Sequence, residues 1–332
     1  MFAMTSKTVP ALAAALALLG VMQTDVLAQT YPNKPIRLIV PLAPGGGIDI
    51  LARGMSASLT ELLKQSVVVD NRAGAGGTIG VELVAKSAHD GYTLLLASSS
   101  NFAFGPSLES RLPYNPQRDF APIGLAVLVP NILVAHPSVL AQNIKELIQL
   151  AKASPGTITY ASPGTGTTSH IVGELFTHTA GIKLMQIPYK GGGPAAVDLL
   201  GGHVQLLFGA ISTSLPIVKA GKLRGLGVTS LKRSEAAPEI PTISKSGLQG
   251  FEVVQWFGVA APAGTPGAIV NRLNAETMKA IAARDFREAL SRQGMDAASP
   301  NTPQQFAAYI NTELSRWTKF FKEAGLKLEQ AR

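Results

Sequence analysis

From Ile36 onward, short apolar runs alternate with longer stretches whose apolar residues recur every three or four positions. Ile36–Val40 and Val67–Val69 read as strands, and Tyr92–Leu96 as a third. Between them, Ile48 to Lys64 places Ile48, Leu51, Met55, Leu59, Leu62 and Leu63 near one helical face, and Ile79–Ser87 reads as a second helix. This βαβαβ order predicts a parallel sheet with helices on both faces.

The pattern then changes. Pro106, Pro113, Pro116, Pro122, Pro130 and Pro137 punctuate a stretch with few helix signals, in which Ile123–Val129 and Ile132–Ala135 read as two strands. A first crossing between domains is expected here. A second α/β block follows. Asn143 and Glu146 are spaced to cap a helix over Ile144–Ala153, which Ser154-Pro155-Gly156 ends. Strands at Ile158–Ala161, Leu184–Ile187 and Val204–Phe208 then alternate with helices at Thr168–Ala180, Pro194–Leu200 and Ser212–Ala220. Leu223–Thr229 is a strand able to carry the chain back. A strand at Gln255–Ala260 and helices over Pro266–Ala283, Asp285–Gln293 and Thr302–Ala324 complete the pattern. The expected architecture is two α/β lobes: residues 29–129 with 225–332, and an inserted lobe 130–224. Two crossings make a hinge, and the carboxyl ends of both sets of strands are expected to face the cleft.

The N-terminus departs from this pattern. Lys7 precedes an apolar run, Val9–Val21, and Val26-Leu27-Ala28 offers the small or branched residues that a signal peptidase reads. The run is shorter than the roughly 20 residues of a membrane span. Residues 1–28 are therefore expected to be a signal peptide cut after Ala28.

At 332 residues the chain suits about two domains, and with 46% hydrophobic and 15% charged residues it is globular rather than disordered. The absence of cysteine excludes disulfides, thiolate metal sites, cysteine catalysis and an acylated N-terminal cysteine. Export without lipidation fits the periplasm of a Gram-negative cell. The formal net charge of +8 comes from scattered Lys and Arg, without the dense basic run or aromatic interleaving that nucleic-acid binding needs. No nucleic-acid partner is expected.

Four glycine-rich turns precede helices: Pro44-Gly45-Gly46-Gly47 before Ile48; Asn71 to Gly77 before Thr78; Gly164-Thr165-Gly166-Thr167-Thr168-Ser169 before His170; and Lys190-Gly191-Gly192-Gly193 before Pro194. A helix start leaves N–H groups unpaired and carries partial positive charge, and glycine lets a ligand come close. Such turns bind anions without spending a charged side chain. Each one alone is also an ordinary strand-to-helix connection; their recurrence in both lobes favours a site. No Lys follows Gly47, so the first is not a phosphate-binding P-loop, and none keeps a dinucleotide fingerprint. A small carboxylate shared between the lobes fits best. Thr167, Thr168 and Ser169 either cap their own helix or bond the ligand. Asp49 either balances the dipole of its helix or accepts from a ligand amine. His170 either borders the ligand or packs.

Catalysis finds little support. His89, His136, His170, His178 and His203 have no metal-ligand spacing, and there is no Gly-x-Ser-x-Gly elbow. Ser169 and His170 are adjacent on a helix and point about 100° apart, which suits a nucleophile and its base poorly. No cofactor, no metal and no catalytic residue is expected. Trp256 and Trp317 read as core.

Seven segments in order resemble the Bug-type extracytoplasmic solute receptors of tripartite tricarboxylate transporters: "YPNKPIRLIVPLAPGGGIDILAR", "VVVDNRAGAGGTIGVELVAKSAHDGYTLL", "LPYNPQRDFAPIG", "ASPGTGTTSHIVGELF", "IPYKGGGPAAVDLLGGHVQLLF", "AGKLRGLGVTSLKRS" and "GVAAPAGTPGAIVNRLNAE". The resemblance implies a two-lobe periplasmic-binding-protein fold of type II, the Venus flytrap. It also implies capture of a small carboxylate by backbone N–H groups, helix N-termini and waters, and delivery to a large and a small integral-membrane subunit; the chain itself is expected to be a monomer. Carried over by motif, Pro44 to Gly47 and Asp49 belong to the first-lobe turn, Gly164 to His170 to the second-lobe turn, and Lys190 to Gly192 to the neighbouring loop; Ser98, Ser99 and Asn101 join them. The chain departs from the family at Asn101-Phe102, where a Thr-His pair is frequent, at Gly105-Pro106 in place of Asn-Pro, and at Gly209, where many members carry Asp. These changes remove polar groups, and an aromatic or partly apolar acid is expected rather than an acidic amino acid. A ligand-sensing subunit of a signalling system and a periplasmic enzyme centred on Ser169 and His170 are the alternatives.

Overall fold

A mixed sheet of ten strands organises the chain: β1 (Ile36–Val40), β2 (Val67–Asn71), β3 (Thr93–Ser98), β4 (Phe120–Ala135), β5 (Thr159–Ser162), β6 (Met185–Pro188), β7 (Leu206–Ala210), β8 (Arg224–Val228), β9 (Val254–Pro262) and β10 (Asp296–Ala297). The path runs β2-β1-β3-β9-β4-β7-β5-β6, with β8 and β10 also paired to β4. The computed structural model describes residues 31–44, 47–108, 111–164, 166–189 and 192–325. The expected signal peptide, residues 1–28, lies outside them. Lys34–Arg332 cluster as one unit; of the unit before it only residues 31–33 are described.

The helices are α1 (Gly47–Leu63), α2 (Thr78–Ala85), α3 (Gly105–Leu108), α4 (Ile144–Ala153), α5 (Thr168–Ala180), α6 (Gly192–Leu200), α7 (Ile211–Lys219), α8 (Gly267–Ala282), α9 (Arg284–Arg292) and α10 (Pro303–Glu323). The periodic apolar face of α1 is buried through Leu51, Met55, Leu59 and Leu63, as burial of one stripe requires. Asn143 Oδ1 accepts the Glu146 N–H at 3.0 Å and so caps α4. The return arm of the expected capping pair shifts by one residue, because Glu146 Oε2 accepts from the Gln142 N–H at 2.7 Å.

In the first half of the sheet β1 is parallel to β2 and to β3, as the βαβαβ pattern predicts. β9 breaks the parallel order by pairing antiparallel with β3 and β4. It returns from the C-terminal part of the chain rather than through a crossover helix. Ile36, Leu38, Ile39 and Val40 of β1 are buried, the near-continuous apolar run of a strand covered on both faces.

The proline-punctuated stretch differs most from expectation. Two strands were expected, and one 16-residue strand, β4, runs through both Pro122 and Pro130. Pro122 falls beside a register shift between β4 and β9. Pro130 is the last β4 residue paired with β9, and Asn131 is the first paired with β7. A residue without an N–H is tolerated where the ladder changes partner. Upstream, Ser100–Phe104 forms a wide helical turn that runs into α3, where sequence pattern shows no helix. Burial of Phe102 and Phe104 dictates that turn, and tertiary packing overrides local propensity there.

Candidate functional site

The carboxyl ends of several strands converge on a cavity of about 540 Å³. Leu42 follows β1; Ala75 and Gly76 lead into α2, which Thr78 begins; Ser98 ends β3, Ser100 and Asn101 follow it, and Gly105 begins α3; and Leu112 and Tyr114 lie between α3 and β4. From the other half come Pro163 and Gly166–Ser169, between β5 and the first turn of α5, and Ala210 at the end of β7. Asn131 stands where β4 passes from β9 to β7, and Gln255 is the second residue of β9. Ligand sites in α/β sheets occupy this position beyond the strand ends. A second hollow, lined by Lys145, Ser244, Lys245, Gly247 and Gln249, opens to solvent and touches none of the glycine-rich turns.

Among the described residues, no charged side chain lines the cavity. Its positive end is the N-terminus of α5. Ile171 N–H is the first to reach an in-helix carbonyl, that of Thr167 at 3.0 Å. The N–H groups of Thr168, Ser169 and His170 therefore have no acceptor within the helix. None of the three hydroxyls in this turn caps the helix. Thr167 Oγ1 donates to Gly164 O at 2.7 Å, Thr168 Oγ1 lies 3.2 Å from Ser100 Oγ across the cavity, and Ser169 Oγ donates to Phe208 O. The helix end keeps its dipole and its free donors.

The opposite wall is braced through Asn101. Its Oδ1 accepts from Ser98 Oγ at 2.8 Å, its Nδ2 donates to Gly76 O at 3.3 Å, and its carbonyl accepts from Tyr114 Oη at 3.0 Å. Burial pushes the Tyr114 hydroxyl well above the ordinary phenol range, so it stays a donor. Gly77, at φ 99°, comes so close that a Cβ there would meet Asn101 Nδ2 at 2.8 Å. Ala75 adopts φ 46° in the same turn, strain of a kind that collects at binding sites.

Of the residues expected at the site, Ser98, Asn101, Gly166, Thr167, Thr168 and Ser169 line the cavity. Gly45, Gly46, Thr165, Lys190 and Gly191 lie outside the described residues. Pro44, Asp49, Ser99, Gly164, His170 and Gly192 do not line it, and of Gly47 only its place at the start of α1 is described. Asp49 is buried in the first turn of α1, where it accepts from Arg53 Nε at 3.0 Å and from Asn71 Nδ2 at 3.0 Å. His170 Nδ1 accepts the Gly166 N–H at 3.1 Å, while Nε2 lies 3.8 Å from Glu174 Oε1. Burial lowers its pKa against the opposing pull of Glu174, which keeps the ring neutral and the loop bonded. No group of three His, Asp or Glu residues able to hold a metal occurs among the described residues.

Phe102 does not face the ligand space. It is buried in the core, with its ring 4.9 Å from Phe120 and 6.5 Å from Trp256 between centroids. The Asn-Phe departure therefore exchanges packing behind the wall and leaves the wall polar. At Gly209 a Cβ would meet Ser214 Oγ at 2.2 Å, so the seryl hydroxyl occupies the space of the frequent Asp side chain. Sequence reasoning missed Asn131, although a lone amide inside the apolar run Ile123–Ala135 was a visible signal.

Comparison with known proteins matches residues 51–326 to the family described as Tripartite tricarboxylate transporter family receptor. Protein BugT of Bordetella pertussis is 41% identical over 307 residues, covering 92% of this chain and 93% of its own. Among solved structures, an R. palustris protein with adipate is 34% identical with a TM-score of 0.83, over 90% of this chain and 99% of its own. MatC from Rhodopseudomonas palustris with bound malate is 30% identical with a TM-score of 0.79, over 87% of this chain and 99% of its own.

Proposed function

The chain belongs to the tripartite tricarboxylate transporter receptor family, and from that premise we propose that it captures one small carboxylate by closing two lobes around the cavity. It then delivers the acid, as a monomer, to the large and small membrane subunits of such a transporter. The moving bodies in this reading are residues 29–129 with 225–332 and residues 130–224, pivoting where Asn131 meets Thr229. The chain works in the periplasm after cleavage behind Ala28.

One observation carries the reading. The cavity presents the free N–H groups of α5 in a lining with no charged side chain among the described residues. A carboxylate is held there by backbone donors and the helix dipole, and released without breaking an ion pair. That two relatives are solved with adipate and with malate supports the same ligand class. Ser169 Oγ and His170 Nδ1 point to Phe208 O and Gly166 N, so neither activates the other. No helix among the described residues is long and apolar enough to cross a membrane.

Calorimetry of the mature protein against mono-, di- and tricarboxylates tests the proposal, with mass spectrometry of the recovered acid. Saturable one-site binding of an acid that comes back unchanged is expected. Absence of binding across the panel, or chemical conversion of the acid, overturns it.

A further inference from the structure

A row of side chains joins β5 to the cavity wall. Tyr160 Oη donates to Glu174 Oε1 at 2.6 Å, the same oxygen lies 3.8 Å from His170 Nε2, and His170 Nδ1 accepts the Gly166 N–H at 3.1 Å. A Cβ on Gly173 would run into the Tyr160 ring, so glycine there makes room for the row. Gly166 lines the cavity, and Tyr160, Glu174 and His170 do not. His170 therefore acts on a ligand through Gly166, not by an ion pair.

The last bond of the row sets where the Gly166 N–H points. An unprotonated Nδ1 takes that N–H and withholds it from the cavity. A protonated Nδ1 only donates, so the Gly166 N–H must find another acceptor. Gly166 sits at φ 78°, and glycine turns from such a conformation at little cost. A carboxylate at the N-terminus of α5, beside Gly166, is that acceptor in the receptor reading. Its charge also favours the proton on the ring.

In the free protein, burial holds the ring neutral against the pull of Glu174, the one charged group acting on it among the described residues. Tyr160 keeps its proton, because burial and Glu174 both push its pKa up. Groups on adjoining turns are engaged elsewhere. Asp198 of α6 accepts from Tyr189 Oη at 2.7 Å and lies 3.4 Å from His203 Nδ1, and the His178 ring packs edge-on against Phe320. A second carboxylate, brought by the ligand, adds to Glu174 and offsets the burial.

We infer that His170 is a positioning residue that links capture of the acid to uptake of one proton. The acid is held with His170 protonated at Nδ1 and the Gly166 N–H turned toward it; the proton comes from solvent and returns there on release. The inference rests on the carboxylate-receptor reading and adds a proton to it. Because the bound form keeps that proton to higher pH than the free form, affinity rises as the pH falls and levels off above the bound-state value.

The test is calorimetry with succinate, adipate and phenylacetate in pairs of buffers that differ in ionisation enthalpy, which counts the protons taken up. For the acid that binds, affinity should rise about tenfold from about pH 8 to about pH 6, with net proton uptake that grows over the same range. His170→Gln keeps an acceptor for Gly166 but does not titrate, and both the rise and the uptake should vanish. Glu174→Gln keeps an acceptor for Tyr160 but loses the charge, and the rise should move to lower pH. A flat affinity without proton uptake, or release of protons, overturns the inference and leaves the receptor reading intact. A rise that survives in His170→Gln assigns the proton to another group and overturns it too. Failure of every acid to bind overturns both readings. The proton count in native protein decides the matter even if a variant does not fold.

Discussion

The segment Ser98–Gly105, on one side of the cavity, sits on an aromatic core, whereas the turn Pro163–Ser169, on the other, sits on hydrogen bonds to its own backbone and to β7. Behind the first, Phe102 packs on Phe120 and Trp256, and Phe104 packs edge-on against Trp317 with 4.7 Å between ring centroids. Behind the second, Thr167 Oγ1 holds Gly164 O, His170 Nδ1 holds Gly166 N, and Ser169 Oγ holds Phe208 O. Close packing resists displacement at many contacts together. Polar bonds are individually modest and can be exchanged one at a time for bonds to water or ligand. The aromatic-backed wall is thus the stiffer of the two, and under the proposed function the helix-end wall is the one expected to adapt to the acid.

The largest effect expected from this contrast is on stability. Phe102→Ala empties a fully buried site between two aromatic rings and should cost about 3–5 kcal/mol of unfolding free energy in a urea titration. A loss below about 1 kcal/mol would mean that packing does not hold this wall.

The next effect is on binding. Gly166 lines the cavity at φ 78°, a conformation that a β-branched residue avoids at a cost of roughly 1–2 kcal/mol. Gly166→Val should relax the turn in the free protein and weaken carboxylate binding by about tenfold. Unchanged affinity would show that this turn is a connection and that the anion lies elsewhere.

How far these walls were legible in the sequence follows from the same contrast. Strand and helix positions from Ile36 to Leu63 follow from periodicity alone, because burial there is regular. The α5 turn was legible because glycines and hydroxyls before a helix have a local physical meaning. The Ser98–Gly105 wall was only partly legible: Ser98 and Asn101 were expected at the site, but the wide helical turn that presents them depends on Trp256 and Trp317, about 155 and 215 positions away along the chain. No local pattern encodes such contacts. The opening turn Pro44–Gly47 carried the strongest glycine signal, yet of the described residues in that loop Leu42 alone reaches the cavity. Asn131 acquires its importance from a change of strand partner, which sequence shows only as a polar residue in an apolar run.

A smaller effect separates the walls by pH. His170 is held neutral by burial, with Glu174 opposing, and Tyr160 Oη donates to that same carboxylate at 2.6 Å. Its native pKa is lowered below the unfolded value of about 6.5. Below about pH 6.5 the unfolded chain therefore binds the extra proton more readily. Stability is unaffected above that pH, falls as the pH drops toward the lowered native value, and then levels off. Protonation at Nδ1 also removes the acceptor for Gly166 N–H, so the helix-end wall loosens first. Thermal melts between pH 7 and 5 should show this decrement, and His170→Gln should lack it. An identical pH profile in the variant would assign the dependence to other groups.

The smallest expected effect joins the two walls. Ser100 Oγ and Thr168 Oγ1 meet at 3.2 Å, the one side-chain hydrogen bond between the aromatic-backed segment and the helix-end turn among the described residues. In the open form that the proposed closure implies, both hydroxyls would be solvated, so their bond would add to closure and hardly to folding. Ser100→Ala should weaken carboxylate binding by about threefold, the net worth of one neutral hydrogen bond, with the urea midpoint nearly unchanged. Thr168→Val should match it. The double variant should then lose no more than either single change, because the same bond is removed in all three. Additive losses would mean that each hydroxyl touches the ligand separately, and that the walls close on the acid without touching each other.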